Sequence, residues 1–219
     1  MNESNISFKK KIVRNLFLNY EKRFKTQNEI ESELQTTGMA YIQMRLPVEK
    51  ITEEYESQIR KKVEKNILRA KIREATINDL ETVVFLHNRS WMTSSTPFSP
   101  ISYESIKKIF NYPDTKILLA KVYGIDGGFA ILDFEGREKE IGVICGLGVL
   151  PRFQRKGLGT VIGMAAWDYF KKRGVKELQC EVYKDNKVSY NFIKSLGFEE
   201  YEIKVYKAED FNLSNVQSD

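Results

Sequence analysis

The sequence predicts a mixed α/β (α+β) fold, with a helical extension at residues 1–70 and a domain of strands and helices at residues 71–219. Two observations support this prediction. From residue 71 onward, segments of strand-like alternation are interspersed with segments whose apolar residues recur at helical spacing. In addition, a chain of 219 residues is long enough for one such domain with an extension, or for two small domains.

The extension is predicted to contain two amphipathic helices. Large apolar residues recur at every fourth position in two stripes: Phe8, Ile12, Leu16, Tyr20 and Phe24 in the first, and Ile51, Tyr55, Ile59, Val63 and Ile67 in the second. Residues 39–48 between the stripes form either a strand or an extended connector, which ends at Pro47. Apolar stripes of this length need a cover, so we expect them to pack on the domain or on a second subunit, and a homodimer through these helices is a candidate assembly.

The domain is predicted to begin with a strand at residues 71–75. Thr76 and Asp79 then have the spacing of a capping box that starts a helix. One face of that helix carries apolar and aromatic residues at helical spacing: Leu80, Val84, His87 and Trp91. His87 is the only histidine of the chain, and its place on this apolar face favours a hydrogen-bonded core residue over a catalytic one.

The middle of the domain is predicted to be a loop, a short helix and three strands. Ser, Thr and Pro residues indicate a loop at residues 93–100. The helix and strands that follow occupy residues 102–111, 116–123, 128–134 and 141–149. Gly146 and Gly148 lie inside the last of these strands, which indicates a bulge or a close backbone approach.

The most informative segment follows this strand, where a basic loop with glycines leads into a helix predicted at residues 157–172. Gly157 and Gly159 let successive backbone amides approach a ligand at the helix N-terminus, where unpaired N–H groups and the helix dipole favour an anion. Three basic side chains add positive charge there: Arg152, Arg155 and Lys156. The segment lacks the Gly-Lys-Ser/Thr ending of a Walker A loop and the three glycines of a dinucleotide fingerprint. It therefore predicts a different kind of phosphate-binding loop.

This segment resembles the pyrophosphate loop of the GNAT superfamily of acyl-CoA N-acyltransferases. The superfamily's Gln/Arg-x-x-Gly-x-Gly/Ala signature after a Val-x-Pro strand end is matched by Gln154 to Gly159 after Val149 to Pro151. The resemblance implies a GNAT fold, with a mixed sheet in which two parallel strands splay apart. It also implies acetyl-CoA as cofactor and the following residues in contact with it: Leu147, Val149, Gln154, Arg155, Lys156, Gly157, Leu158, Gly159, Thr160 and Asn186. A backbone N–H near Leu147 is the implied oxyanion donor.

A second part of the resemblance lies at residues 178–198. It resembles a family strand that ends Leu-Glu-Val, followed by an Asn, a short helix and a closing Gly-Phe. Alternation places Glu181 on the polar side of this strand, and Glu181 also falls on a glutamate that the resemblance implies as general base. Ile193 stands where most members carry the tyrosine that serves as general acid. Tyr190, one helical turn earlier, is a candidate replacement, although a tyrosine on a short amphipathic helix is also typical of core packing.

Pocket residues for the acceptor are implied by the resemblance alone. The loop at residues 93–100 corresponds to part of the acceptor-side wall, which makes Trp91, Phe98 and Tyr103 candidate pocket residues. The alternative is an exposed loop held by two aromatic side chains.

The predicted function is therefore transfer of an acetyl group from acetyl-CoA to a primary amine by direct attack in a ternary complex. The acceptor is a protein N-terminus, a lysine or a small-molecule amine. The alternative is a non-catalytic acyl-CoA-binding regulatory protein, which would keep the glycine loop and lose the acid and base. We expect no bound metal, because Cys145 and Cys180 lie in two separate strands and read as free buried thiols.

Composition and charge argue against two other classes, membrane proteins and nucleic-acid-binding proteins. The chain has no apolar run long enough to span a bilayer, so we expect a cytoplasmic protein without membrane association. Its net charge is +5, but acidic residues are interleaved with basic ones along nearly the whole chain, which makes nucleic acid an unlikely partner.

Overall fold

The computed structural model describes residues 38–91 and 100–206. Seven strands lie in these residues: β1 (Met39–Pro47), β2 (Lys71–Glu74), β3 (Lys116–Val122), β4 (Ile125–Glu135), β5 (Ile141–Val149), β6 (Glu177–Tyr183) and β7 (Glu199–Tyr206). The same residues contain five α-helices: α1 (Glu53–Glu64), α2 (Leu80–Trp91), α3 (Tyr103–Phe110), α4 (Leu158–Lys172) and α5 (Lys187–Ser195). The predicted first apolar stripe, from Phe8 to Phe24, lies outside the described residues.

The seven strands form one mixed sheet in the order β2-β3-β4-β5-β6-β1-β7. All neighbours are antiparallel except β5 and β6, which are parallel. Their ladder pairs Ile141–Ile144 with residues 177–180, although β5 continues to Val149 and β6 to Tyr183. The two strands therefore separate beyond this ladder, which confirms the predicted mixed sheet with splayed parallel strands.

Strand β1 lies inside this sheet, between β6 and β7. Of the two alternatives for residues 39–48, the strand is therefore the one observed. Its even-numbered residues Ile42, Met44 and Leu46 are buried in the main core, which explains why the segment alternates. The predicted boundary between residues 70 and 71 thus falls between two strands of one sheet, β1 and β2. The described part of the extension packs with the domain through β1 and α1.

Helices cover both faces of the sheet. Helix α4 packs on β3, β4 and β5 from one side and is itself covered by α1, while α2 and α3 pack together on the opposite side. The second predicted stripe is mostly confirmed, because Ile59 is buried and both Ile51 and Val63 pack on the core. Ile67 is the exception: it lies beyond the end of α1 and its side chain is 74% exposed.

Two ion pairs attach α1 to α4. The Arg60 guanidinium contacts Asp168, and Lys171 Nζ lies 2.9 Å from Glu56 Oε2. Arg60 also pairs with Glu56 one helical turn away on α1. These contacts fix the extension against the helix whose N-terminus carries the glycine loop.

The remaining predicted elements lie within a few residues of their expected bounds. The Thr76 and Asp79 capping box is present, Ser102 caps α3, and Gly174 ends α4 with φ +69°. Strand β7 was not predicted, although Tyr201, Ile203 and Val205 alternate with charged residues there. None of the helices described is both long enough and apolar enough to cross a lipid bilayer.

Candidate active site

The glycine loop forms the N-terminus of α4, as predicted. A short 3-10 turn at Pro151–Phe153 follows β5, and Gly157 is the N-cap residue of the helix with φ +81°, a conformation that favours glycine. Within the part of the chain that the structure describes, no side chain caps this helix. The first amides of α4 therefore have no partner within the helix and are available to an anion.

Two side-chain amides hold the loop in place. Gln154 Nε2 donates to the Val149 carbonyl at 2.9 Å, and Asn66 Nδ2 donates to the Lys156 carbonyl at 2.8 Å. A Cβ atom at Gly157 would lie 2.4 Å from Asn66 Nδ2, so only glycine allows this contact. Asn66 precedes the region of the sequence motifs, and no pattern in the sequence pointed to it.

A cleft of about 380 Å³ opens beside the loop. Its walls come from α2, the end of β5, the loop, the start of α4 and the segment from Asn186 into α5. The lining residues are Ser90, Trp91, Leu147, Gly148, Val149, Gln154, Arg155, Gly157, Gly159, Thr160, Asn186, Val188, Ser189 and Phe192.

Eight of the ten residues predicted to contact the cofactor line this cleft. The two others, Lys156 and Leu158, do not. The Leu158 side chain is 1% exposed and belongs to the core, whereas Lys156 is exposed beside the cleft. For Leu158 the prediction can therefore concern only its backbone amide at the start of α4. Ser90, Val188 and Phe192 line the cleft without having been predicted.

Strand β5 is bulged where the two glycines predicted an irregularity. Cys145 is the extra residue between Ile144 and Gly146 in the ladder with β4. At Gly148, a Cβ atom would lie 2.3 Å from the Phe129 ring and 3.0 Å from Ser90, so the backbone approaches its neighbours closely. The bulge lies where β5 leaves β6, and Leu147 beyond it lines the cleft.

Glu181 lies on β6 immediately after Cys180, the last residue of the parallel ladder. It is half-buried, and its Oε2 accepts two hydrogen bonds, one from Gln43 Nε2 at 3.0 Å and one from the Tyr206 hydroxyl at 3.0 Å. Burial and the nearby Glu181 carboxylate raise the pKa of Tyr206, so this phenol remains a donor. The carboxylate is therefore held by donors from the neighbouring strand β1 and from β7, which lies beyond β1 in the sheet.

Three tyrosine rings form a cluster beside Glu181. The ring of Tyr41 makes edge contacts with Tyr183 and with Tyr206, each with 5.6 Å between ring centroids. Burial, followed by the charge of Glu181, also raises the pKa of Tyr41. The Glu181 carboxylate is the negative charge beside this cluster and contributes to the raised pKa of both phenols, but Glu181 itself is not among the residues that line the cleft.

Tyr190 lies apart from the cleft. Its hydroxyl donates to Glu200 on β7, and this hydrogen bond is the main cause of its raised pKa. Ser189 lines the cleft instead, and Ile193 packs against the core. The candidate acid closest to the cofactor cleft is thus Ser189.

His87 is a core residue, as predicted. Its ring stacks on Trp91 with centroids 4.4 Å apart, and its Nδ1 lies 3.2 Å from Asn88 Oδ1. Burial lowers the pKa of His87 to about 4, so the imidazole is neutral near pH 7. Its role is to support Trp91, which lines the cleft.

The other pocket candidates differ in position. Tyr103 is 37% exposed on α3 and does not line the cleft, while Phe98 lies outside the described residues. Cys145 and Cys180 are not joined by a disulfide bond; Cys180 is buried and Cys145 is half-buried. Within the described part of the chain, no group of three His, Cys, Asp or Glu side chains is arranged to hold a metal ion.

Comparison with known proteins agrees with this geometry. The model of the acetyltransferase (GNAT) family matches residues 83–198, which is more than half of the chain. An uncharacterized N-acetyltransferase of Methanocaldococcus jannaschii is 27% identical over 143 residues. That alignment covers 60% of this chain and 62% of the relative, so the chain spans less than two thirds of that protein.

Solved structures of similar fold include two further N-acetyltransferases. The PaiA N-acetyltransferase of Thermoplasma acidophilum, solved with coenzyme A, has a TM-score of 0.53 and 22% identity, covering 63% of this chain and 99% of that one. The ribosomal-protein-S18-alanine N-acetyltransferase of Escherichia coli has a TM-score of 0.52 and 23% identity, covering 61% of this chain and 79% of that one. At these identities the likeness concerns the fold.

Proposed function

Because the chain belongs to the GNAT family of acetyltransferases, we propose that it transfers the acetyl group of acetyl-CoA to a primary amine by direct attack in a ternary complex. The observation that carries this proposal is the uncapped N-terminus of α4, which opens on a cleft at the point where β5 and β6 separate. Acetyl-CoA supplies the activated thioester for this chemistry.

The cleft has suitable groups for coenzyme A. Its volume of about 380 Å³ lies within the range of small-molecule sites, roughly 300–1,000 Å³. The amides at the start of α4 would hold the pyrophosphate, with positive charge from Arg155 and Lys156. Asn186 and the β5 backbone near Leu147 would hold the pantetheine arm, and the amide near Leu147 would stabilise the oxyanion.

Glu181 is proposed as the general base. An amine of the lysine type has a pKa of about 10.4, so its neutral form costs about 4.6 kcal/mol at pH 7, whereas an α-amine costs only about 1 to 1.4 kcal/mol. The carboxylate accepts one ammonium proton, and the nitrogen lone pair then forms the bond to the acetyl carbon as the C–S bond breaks. The nitrogen gives up its second proton, which balances the proton that the departing thiolate takes up to become the free thiol. The aromatic rings beside Glu181 would favour binding of the cationic form before this step.

The departing thiolate needs little help from an acid. A thiol with a pKa of about 8.5 leaves as thiolate at a cost of about 2 kcal/mol at pH 7, since one pKa unit corresponds to about 1.36 kcal/mol. Ser189 or water can return a proton, and Tyr190, whose hydroxyl contacts Glu200, is the less favoured donor. This arrangement tolerates Ile193 at the position of the usual tyrosine.

A second candidate is a non-catalytic acyl-CoA-binding regulator, which Ile193 favours. The two candidates differ in turnover and agree in cofactor binding. Thiol release from acetyl-CoA should be measured with four acceptors: a peptide with a free α-amine, a lysine amide blocked at its α-nitrogen, spermidine and kanamycin. Turnover with any of them supports the enzyme, whereas binding without turnover supports the regulator.

Cofactor binding is tested separately by thermal melting. Coenzyme A at about 100 times its dissociation constant should add about 2.7 kcal/mol to the free energy of unfolding. Charge reversal at Arg155 and Lys156 together should abolish most of this gain. The matched control is the same reversal at Lys107 and Lys108, two exposed lysines of α3 that do not line the cleft. The absence of stabilisation by millimolar coenzyme A or acetyl-CoA would contradict both candidates.

A further inference from the structure

Gln43 is a fully buried polar residue that contacts the proposed base. It lies on β1 directly opposite Glu181 on β6, is 0% exposed, and donates from Nε2 to Glu181 Oε2 at 3.0 Å. The same nitrogen makes a longer contact of 3.5 Å to the Tyr41 carbonyl. Gln43 precedes the residues 83–198 that match the family model, so the contact comes from a strand that this model does not include.

The burial of this amide is unfavourable for stability. Its Oε1 is buried and has no hydrogen-bond partner among residues 38–91 and 100–206, so the carbonyl loses its hydration without a replacement there. An apolar side chain of similar length would fill the same space without this cost. The feature that can account for an amide at position 43 is therefore the hydrogen bond from its Nε2 to Glu181.

We propose that Gln43 is a positioning residue, which together with Tyr206 fixes the Glu181 carboxylate for proton transfer from the acceptor amine. Both donors bind the same oxygen, Oε2, so they set the direction of Oε1. This inference rests on the proposed acetyl transfer with Glu181 as base. It assigns β1, which lies before the family motifs, a part in the chemistry as well as in the sheet.

Gln179 provides a matched control, because it lies on the same strand and the same face as Glu181. Gln179 is two residues before Glu181 on β6, and its amide bonds to Glu177 and Tyr201. Gln179→Met makes the same chemical change as Gln43→Met. It removes an amide whose recorded partners do not include the Glu181 carboxylate. It should leave kcat and the apparent KM for acetyl-CoA unchanged.

The test compares activity with stability. Gln43→Met should lower kcat on the order of 10- to 100-fold, because a misoriented base loses the productive geometry, while the apparent KM for acetyl-CoA stays the same. Its Tm should equal or exceed that of the unchanged chain, because the unpaired carbonyl is gone. Tyr206→Phe should lower kcat in the same way, and Gln43→Asn, which keeps an amide too short to reach Oε2, should lower it as well.

A double-mutant cycle shows whether Gln43 acts through Glu181. In a Glu181→Gln background, Gln43→Met should change kcat by less than about twofold, because there is no carboxylate to orient. The four acceptors named above serve as the probes. Equal turnover of Gln43→Met and the unchanged chain would overturn this inference and leave the proposed function intact. The same holds if the Gln43→Met chain fails to fold or has a Tm well below that of the unchanged chain. No turnover by the unchanged chain would overturn both.

Discussion

The side-chain amide of Asn66 donates to the backbone carbonyl of Lys156 at 2.8 Å, and its own Oδ1 accepts from the Leu68 amide at 2.8 Å. The contact spans 90 positions of the chain and links the segment after α1 to the glycine loop. Part of what holds the loop in its shape therefore comes from outside the motif.

Removal of this contact should weaken cofactor binding. Asn66→Ala deletes one hydrogen bond between neutral groups, which contributes about 0.5–1.5 kcal/mol, so the Kd for coenzyme A should rise by roughly 2- to 12-fold. Calorimetric titration of coenzyme A into Asn66→Ala and into the unchanged chain measures this Kd. Asn111→Ala, at an exposed asparagine after α3, is the control. An unchanged Kd in Asn66→Ala would mean that the loop holds its shape without this brace.

Replacement of the proposed base should slow the reaction without loss of cofactor. Glu181→Gln should reduce the rate roughly 10²- to 10⁴-fold for a lysine-type acceptor, and less for an α-amine, because the α-amine is neutral more often at pH 7. Stabilisation by coenzyme A should persist. If turnover remained at the original level, the proton would have to leave through a bound water or another group.

The contact between α1 and α4 should make stability depend on acid pH. The hydrogen bond from Lys171, assisted by that from Arg60, lowers the pKa of Glu56 from 4.5 to about 2. A lowered pKa contributes stability above pH 4.5, and this contribution is lost as the pH falls toward 2. The Glu56 side chain is 11% exposed but its partners are 39% and 56% exposed, so the contribution is less than about 3 kcal/mol.

Denaturant melts between pH 6 and pH 2 measure this contribution. Glu56→Gln should be less stable than the unchanged chain at pH 6, and the difference should shrink as the pH falls. Glu54→Gln, at an exposed position of the same helix, should leave the pH profile as it is. A difference of constant size at all these pH values would show that Glu56 acts through packing rather than through its charge.

A chain that begins at Ala70 should not fold. It would lose β1, and with it the buried side chains of Ile42, Met44 and Leu46. Each such side chain contributes about 1.5–3 kcal/mol, and their sum approaches the 5–15 kcal/mol of a typical domain. Circular dichroism and thermal melting decide this.

A chain that begins at Gly38 separates the role of residues 1–37 from that of β1. It keeps the described sheet, so a folded product is expected. Sedimentation of this chain and of the full chain tests the predicted homodimer through the N-terminal helices. If the chain that begins at Ala70 folded and were active, the conclusion that β1 is required for folding would be refuted.

The sequence predicted the elements whose pattern is local. The glycine loop, the bulge near Cys145 and the core position of His87 all follow from short-range spacing, and the structure bears them out. Gln43 and Asn66 could not be found in this way, because their partners lie 138 and 90 residues away and a single glutamine or asparagine has no periodicity. The orientation of Tyr190 toward Glu200 depends on β7, which the sequence had not predicted.

The position of β1 between β6 and β7 sets an order of events during synthesis. Gln43 leaves the ribosome 138 residues before Glu181, which at about 5–20 residues per second is roughly 7 to 28 s. Through that interval a strand with three core side chains has neither of its neighbours, and its free edges are open to wrong partners. The half of the sheet that holds Glu181, the proposed base, therefore closes last, because it depends on contacts between residues far apart in the sequence. Slow folding of the nascent chain is the expected consequence.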